Sequence, residues 1–164
     1  MKKYNPLTIP MEQYLKLTSI EGKEFEDATK YRQLVGSLNY LTTIKPDISF
    51  VVGILSRFMQ KPCEEYWSAA KRVLRYLKGT QDLGIKYTQV DDFSLIGYSN
   101  SDFDRDKETG VSTSGYAMSL GSGDVSWRSC KQSVPADSTT EAEYVAATEA
   151  TKEIVWLRKI LEDL

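Results

Sequence analysis

The strongest constraint in this sequence is a change of period. Between about residue 26 and Gly79 the apolar residues recur every three or four positions, and beyond Gly84 they alternate. Side chains share a helix face about every 3.6 residues and a strand face every two, so one pattern cannot serve both. The chain is therefore read as two units of different class. Residues 1–25 are polar, contain Pro6 and Pro10 and lack a period, which reads as an extended arm. Residues 26–82 carry three helical stripes: Tyr31, Leu34, Val35, Leu38 and Leu41; then Ile48, Val51, Val52, Leu55, Phe58 and Met59; then Trp67, Ala70, Val73, Leu74 and Leu77. Lys45-Pro46, Lys61-Pro62 and Gly79 end them, and such short connections favour an antiparallel helical bundle.

Residues 83–164 read differently. Ile85–Thr88, Phe93–Tyr98, Ser114–Leu120 and Val125–Arg128 are strand-like, with Gly121–Asp124 as the turn of a hairpin. Ser138-Thr139-Thr140-Glu141 has the spacing of a helix capping box. The long helix behind it shows Ile154, Leu157, Ile160, Leu161 and Leu164 on one later face. Strands followed by a long helix indicate a second unit of α+β or α/β class behind the helical bundle.

Composition removes several kinds of chemistry. With 41% hydrophobic and 27% charged residues the chain can bury a core. There is no His, and Cys63 and Cys130 lack CxxC spacing, which excludes zinc sites and His-based nucleophile pairs. The two thiols are expected to be reduced, buried and inert in an intracellular protein, cytoplasmic or nuclear. Met1-Lys2-Lys3 opens no signal segment, and no apolar run is long enough to span a membrane. A net charge of −2 gives no global attraction to nucleic acid. Locally, however, Arg57, Lys61, Lys71, Arg72, Arg75 and Lys78 face only Glu64 and Glu65. That row either touches phosphates or is a solvated helix face, and no aromatic platform is expected beside it.

The stretch GYSNSDFD, residues 97–104, raises the question of a metal. Magnesium takes oxygen ligands, commonly a carboxylate at the end of a strand. Here a strand ending at Tyr98 would run into an acidic loop whose first polar position is Asn100, with Asp102 the nearest carboxylate. Asp102, Asp104 and Asp106 alternate as in a calcium loop, but Lys107 stands where Gly is needed and Thr113 where Glu is needed. On the later helix Glu141 fits the capping role, and Glu143 is either a ligand or an acid favoured by the helix dipole.

Several stretches taken together resemble the polyprotein of copia-type LTR retrotransposons: YRQLVGSLNYLTTIKPDISFVV, AAKRVLRYLKGTQDLGIKY, LIGYSNSDFD, STSGYAMSLGSGDVSW and STTEAEYVAATEATKEIVWLRKIL. The resemblance implies that residues 26–82 correspond to the thumb or connection helices of a reverse transcriptase. Residues 83–164 would then be a partial ribonuclease H fold of three antiparallel strands and a long helix, α+β in class. That enzyme cuts the RNA strand of RNA–DNA hybrids with two Mg²⁺ ions held by converging carboxylates. In the family's pattern Asn100 stands at the first ligand, normally Asp, and Glu143 at the second; two further Asp ligands would follow beyond Leu164. Phe103 replaces a Trp, and Tyr66 replaces a His.

The resemblance thus implies a degenerate metal position at Asn100, with Asp102 and Glu143 the remaining weak Mg²⁺ candidates and no other cofactor. The chain is expected to be a free-standing reading frame acting by macromolecular binding, recruited by a host. The alternatives are a Mg²⁺-dependent hybrid nuclease and a nucleic-acid-binding remnant. Leu95, Ile96, Gly97 and Tyr98 are expected to form a strand with one vacant edge. That edge would be filled by residues 85–88, by a second copy in a dimer, or by a host protein.

Overall fold

The structure, a computed structural model, describes residues 4–12, 23–106 and 110–164; Met1-Lys2-Lys3, part of the expected arm (13–22) and Lys107 lie outside them. The chain divides into two compact units, Met1–Gly84 and Ile85–Leu164. Its class is α+β, with four α-helices and one three-stranded antiparallel sheet among the described residues. Among the described residues no helix is long and apolar enough to cross a membrane.

In the first unit α1 (Ala28–Leu41), α2 (Ser49–Ser56) and α3 (Glu64–Gly79) all touch one another. Asp27 caps α1 by accepting from the Lys30 amide at 2.9 Å. A 3₁₀ turn at Pro46–Ile48 leads into α2, which stops short of the expected Met59. The amides of Arg57 and Phe58 bond three residues back, to Ile54 and Leu55, so the last turn tightens and the chain leaves the helix. Glu64 and Glu65 occupy the first turn of α3 and Lys78 the last, the signs a helix dipole favours. Lys45 reaches across to the carbonyl oxygens of Thr80 and Leu83 beyond that helix end.

The core of this unit is made of Tyr31, Val35, Leu38, Ile48, Val51, Val52, Leu55, Tyr66, Ala70 and Val73, all at most 2% exposed. Leu34, Leu74 and Leu77 pack against it from its margin. Tyr66, at the position where the family pattern carries a His, stacks on Phe58 with ring centroids 4.1 Å apart. Tyr31 can be buried because its hydroxyl donates to the Leu55 carbonyl at 2.9 Å. Burial pushes the Tyr31 phenol well above its ordinary range, with the neighbouring Tyr66 adding to the effect.

In the second unit β1 (Leu95–Asp106), β2 (Val111–Leu120) and β3 (Gly123–Lys131) form a sheet in that order, crossed on one face by α4 (Thr139–Glu162). This is the arrangement of a partial ribonuclease H-like fold. Two expectations are corrected. The strand expected to end at Tyr98 continues through GYSNSDFD, pairing with β2 as far as Asp102 opposite Thr113 and resuming at Asp106 opposite Val111 after a bulge. Ser, Asn and Asp are poor strand formers, but pairing against a partner overrides that preference. Residues 85–88 are not a strand. Thr88 instead exchanges hydrogen bonds with the Ser122 hydroxyl, and Tyr87 donates to the Asp124 carbonyl, so the segment lies at the β2–β3 turn. That turn depends on Gly121, whose φ of 60° is costly for any residue with a Cβ.

The long helix α4 packs on the sheet through small residues. Its buried residues are Ala142, Ala146 and Ala150, at a spacing of four, with Ile154 and Leu157 half-buried. Ile160, Leu161 and Leu164 are exposed. Small residues let the helix lie close to the sheet, and its 24 residues extend about 36 Å. The capping box forms in shifted form: the Ser138 hydroxyl accepts from the Glu141 amide at 3.1 Å, and the Glu141 carboxylate accepts from Asp137 at 2.7 Å. Cys63 is buried as expected, but Cys130 is only half-buried, with its Sγ 3.5 Å from a Glu149 carboxylate oxygen.

Candidate functional site

The geometry of β1 follows from two backbone bonds. The Ser94 carbonyl accepts from the Gly121 amide, so at even positions the backbone groups point toward β2. By the alternation of an antiparallel ladder, the odd positions point the other way. At one of these, Ser101, the amide donates to Glu143 Oε2 at 3.1 Å. The fold therefore brings Glu143 of α4 onto the outer edge of β1, beside Asn100.

Side chains follow the same alternation. A Cβ built on Gly97 would meet Met118 Sδ at 2.8 Å and Ile154 Cδ1 at 3.2 Å, so the odd positions face α4. Ser101 Oγ is buried there without a partner. Asn100, exposed and opposite Gly115, lies with Ile96, Tyr98 and Asp102 on the other face. Asp102 is half-buried opposite Thr113.

The oxygen ligand at the Ser101 amide is Glu143, a carboxylate that already accepts an N–H, while the Asn100 amide and the Asp102 carboxylate lie on the other face. Among the described residues no group of three or more His, Cys, Asp or Glu could hold a metal ion. A two-magnesium site needs several anionic oxygens converging on one spot, and the described residues do not fit it.

The outer edge of β1 is the second feature. β2 and β3 lie on one side, and among the described residues no strand pairs with the other. The backbone groups of Leu95, Gly97 and Ser99 face outward along it. Ile96 and Tyr98 flank them at 49% and 63% exposure.

The basic row lies in the first unit and is not a bare face. Arg72 is paired with Glu12 at 2.7 Å, Arg75 Nε donates to the Asn5 carbonyl at 2.9 Å, and Lys78 donates to the Tyr4 carbonyl at 2.9 Å. Arg57 is half-buried; Lys61 and Lys71 are exposed. An aromatic ring does stand beside the row: the Lys71 ammonium is 5.6 Å from the centre of Trp67. Phe25 stacks on that same ring, so it offers no open platform.

Sequence reasoning missed the groups that lock α4 to the sheet. Gln132 Nε2 donates to Ser114 Oγ and to the Ala142 carbonyl, both at 2.9 Å. Ser126 donates to Glu153 Oε1 at 2.7 Å, next in line to the Glu149 contact. Their only signal is the four-residue spacing of Glu149 and Glu153, which reads equally well as a solvated face.

No family model and no solved structure matches the chain. Curated relatives do. The chain is 42% identical over 97% of its length to the retrovirus-related Pol polyprotein from transposon RE2 of Arabidopsis thaliana. It is 39% identical over its whole length to that from transposon TNT 1-94 of Nicotiana tabacum. It spans only 11% and 13% of those polyproteins. Over 77% of its length it is 48% identical to the secreted RxLR effector protein 161 of Plasmopara viticola, 90% of which it covers. The chain belongs to the copia-type family of retrovirus-related transposon Pol polyproteins.

Proposed function

We propose that this retrotransposon-derived protein is catalytically degenerate and works by binding another macromolecule, most simply a second copy of itself. The observation that carries the reading is Asn100 at the position of the first anionic ligand, with Glu143 accepting the Ser101 amide. An amide oxygen in place of a carboxylate removes a full negative charge from a site built to hold divalent cations. The Plasmopara relative supports the same direction, since it bears the name of an effector rather than of a polymerase.

The open edge of β1 supports self-association. An unpaired strand edge is a template for another strand. Its outward groups, at Leu95, Gly97 and Ser99, are symmetric about Gly97. A two-fold antiparallel pairing there would set Tyr98 beside Ile96 of the second copy, an aromatic–β-branched pair of the kind that stabilises sheets.

Two measurements test this. Cleavage of a labelled RNA–DNA hybrid with Mg²⁺ or Mn²⁺ should not rise above background. Robust metal-dependent cleavage that disappears in Glu143→Ala defeats the non-catalytic reading. Light scattering across a concentration series should show mass increasing toward a dimer, and Ile96→Lys should shift it back to monomer with the helical unit still folded. A monomer at every concentration defeats the self-association.

A further inference from the structure

We propose that α4 carries a second seam of the dimer, a helix flank built to lie antiparallel against the same flank of α4 in a second copy. The inference rests on the pairing of β1 edges about Gly97 and adds a surface to it. The two long sides of α4 are marked by their bonds. Glu149 and Glu153 meet Cys130 and Ser126 of β3, whereas Glu143 accepts the outward Ser101 amide of β1. At about 100° per residue, Ile154 and Leu161 lie within about 20° of Glu143 around the helix, and Ala147 within about 40°. These residues therefore line the side of α4 that overlooks the vacant edge. Ala147 is exposed, Leu161 is 40% exposed and Ile154 is half-buried. Spaced by seven, they form an apolar row at the period of paired helices.

The centre of that row sits over the centre of the edge. Ile154 Cδ1 is 3.2 Å from where a Gly97 Cβ would stand. In an antiparallel pairing about Gly97 the two glycine Cα atoms are about 5.5 Å apart, with the two-fold axis between them and perpendicular to the sheet. Both α4 helices then lie on one face of a sheet continuous through the two copies. The two Ile154 side chains stand next to each other, and residue 97 has no side chain to part them. α4 packs on β1 and β2. With strands about 4.8 Å apart, its axis runs about 5 Å from the two-fold and about 10 Å from its mate, a separation at which helices pack.

The two-fold also sets the register. With Ile154 at the axis, Ala147 of one helix falls opposite Leu161 of the other, a small residue facing a large one on both sides of the centre. Such a flank is complementary to itself in reverse, which selects a second copy over an unrelated helix. Leu161 gains a partner there. Val155, 45% exposed and about 180° round from the buried Ala146, faces solvent and gains none.

The test uses the full chain. By sedimentation or light scattering, Leu161→Asp should raise the dimer dissociation constant about 10–100-fold, since the two-fold repeats each loss. Val155→Asp, at a similarly exposed position, should leave it within about twofold. Ala147→Cys combined with Leu161→Cys should give a disulfide-linked dimer on mild oxidation, joined between positions 147 and 161, and neither change alone should. Within one helix those positions are about 21 Å apart and cannot be bridged. The cross-link keeps the test decisive should Leu161→Asp disturb the helix. A dimer that survives Leu161→Asp yet dissociates in Ile96→Lys overturns the helix seam and leaves the β1 edge standing. Equal weakening by Val155→Asp, or no link between 147 and 161, overturns the seam as well. A monomer at every concentration removes both.

Discussion

The helical unit and the sheet unit are nearly equal in length, yet they close their interiors differently. Three helices surround ten side chains that are almost wholly inaccessible, among them Tyr31, Leu38 and Leu55. Among the described residues the sheet unit has one large side chain in that state, Met118; its other buried positions include Ala142, Ala146, Ser112, Ser114 and Gln132. Tyr98, Trp156 and Leu164 are more than half exposed. Helices present apolar stripes on several sides of one axis and can seal a core among three. A three-stranded sheet with one helix covers one face and leaves an edge. The first unit is held by apolar burial, and the second relies more on hydrogen bonds placed between helix and sheet.

That contrast can be broken by substitution. Leu38→Ala should cost about 2–5 kcal/mol in thermal or chemical unfolding of the helical unit, because the cavity is fully enclosed. Trp156→Ser in the sheet unit should change stability by less than about 0.5 kcal/mol despite removing a larger side chain. A large loss at Trp156 with a small one at Leu38 would reverse the comparison.

Gln132→Leu should cost about 1–3 kcal/mol in the sheet unit, since it removes the two buried bonds that Gln132 donates to Ser114 Oγ and the Ala142 carbonyl. A neutral result would show that apolar burial, not this bridge, joins α4 to the sheet. Ser138→Ala should cost about 1 kcal/mol, through the lost bond to the Glu141 amide at the start of α4.

The smallest effect concerns pH and belongs to the helical unit alone. Tyr76 donates its hydroxyl to Asp47, which, with burial, pushes the phenol up to about 12. The folded state then keeps this proton when the unfolded chain, near its ordinary value of about 10, has released it. Stability from this bond is complete below about pH 10 and is lost as pH rises toward about 12. Tyr76→Phe should reduce the fall of the helical unit's unfolding midpoint across that window, the remainder coming from Tyr31, and leave the sheet unit's pH response unchanged.

The helical unit was the more legible half, and its residues show why. Val35, Leu38, Val52, Leu55 and Val73 stand out by period alone, because a helix makes its hydrogen bonds locally and needs only one face buried. The sheet was legible in part. Leu95–Tyr98 and Ser114–Leu120 alternate, but GYSNSDFD carries loop-forming residues, and its pairing with Thr113–Met118 holds it extended. Ile85–Thr88 has strand-like composition, yet it has no neighbour to pair with and is held by Ser122. The same limit applied to the sites. Asn100 and Glu143 could be named from motif and spacing, whereas the bond from Ser101 to Glu143 depends on where α4 crosses the sheet.

By itself the sequence determined the two-unit division, the three helical stripes, the absence of His chemistry and the neutral side chain at residue 100. These are properties of composition and short-range spacing. Tertiary structure alone decided that Glu143 lands on the β1 edge, that the backbone groups of Leu95, Gly97 and Ser99 face outward, and that Tyr4, Asn5 and Glu12 cover Arg72, Arg75 and Lys78. Each of these joins residues more than forty positions apart or depends on which neighbour a strand finds. Such contacts are set by how helices and strands dock, and no local period carries that information.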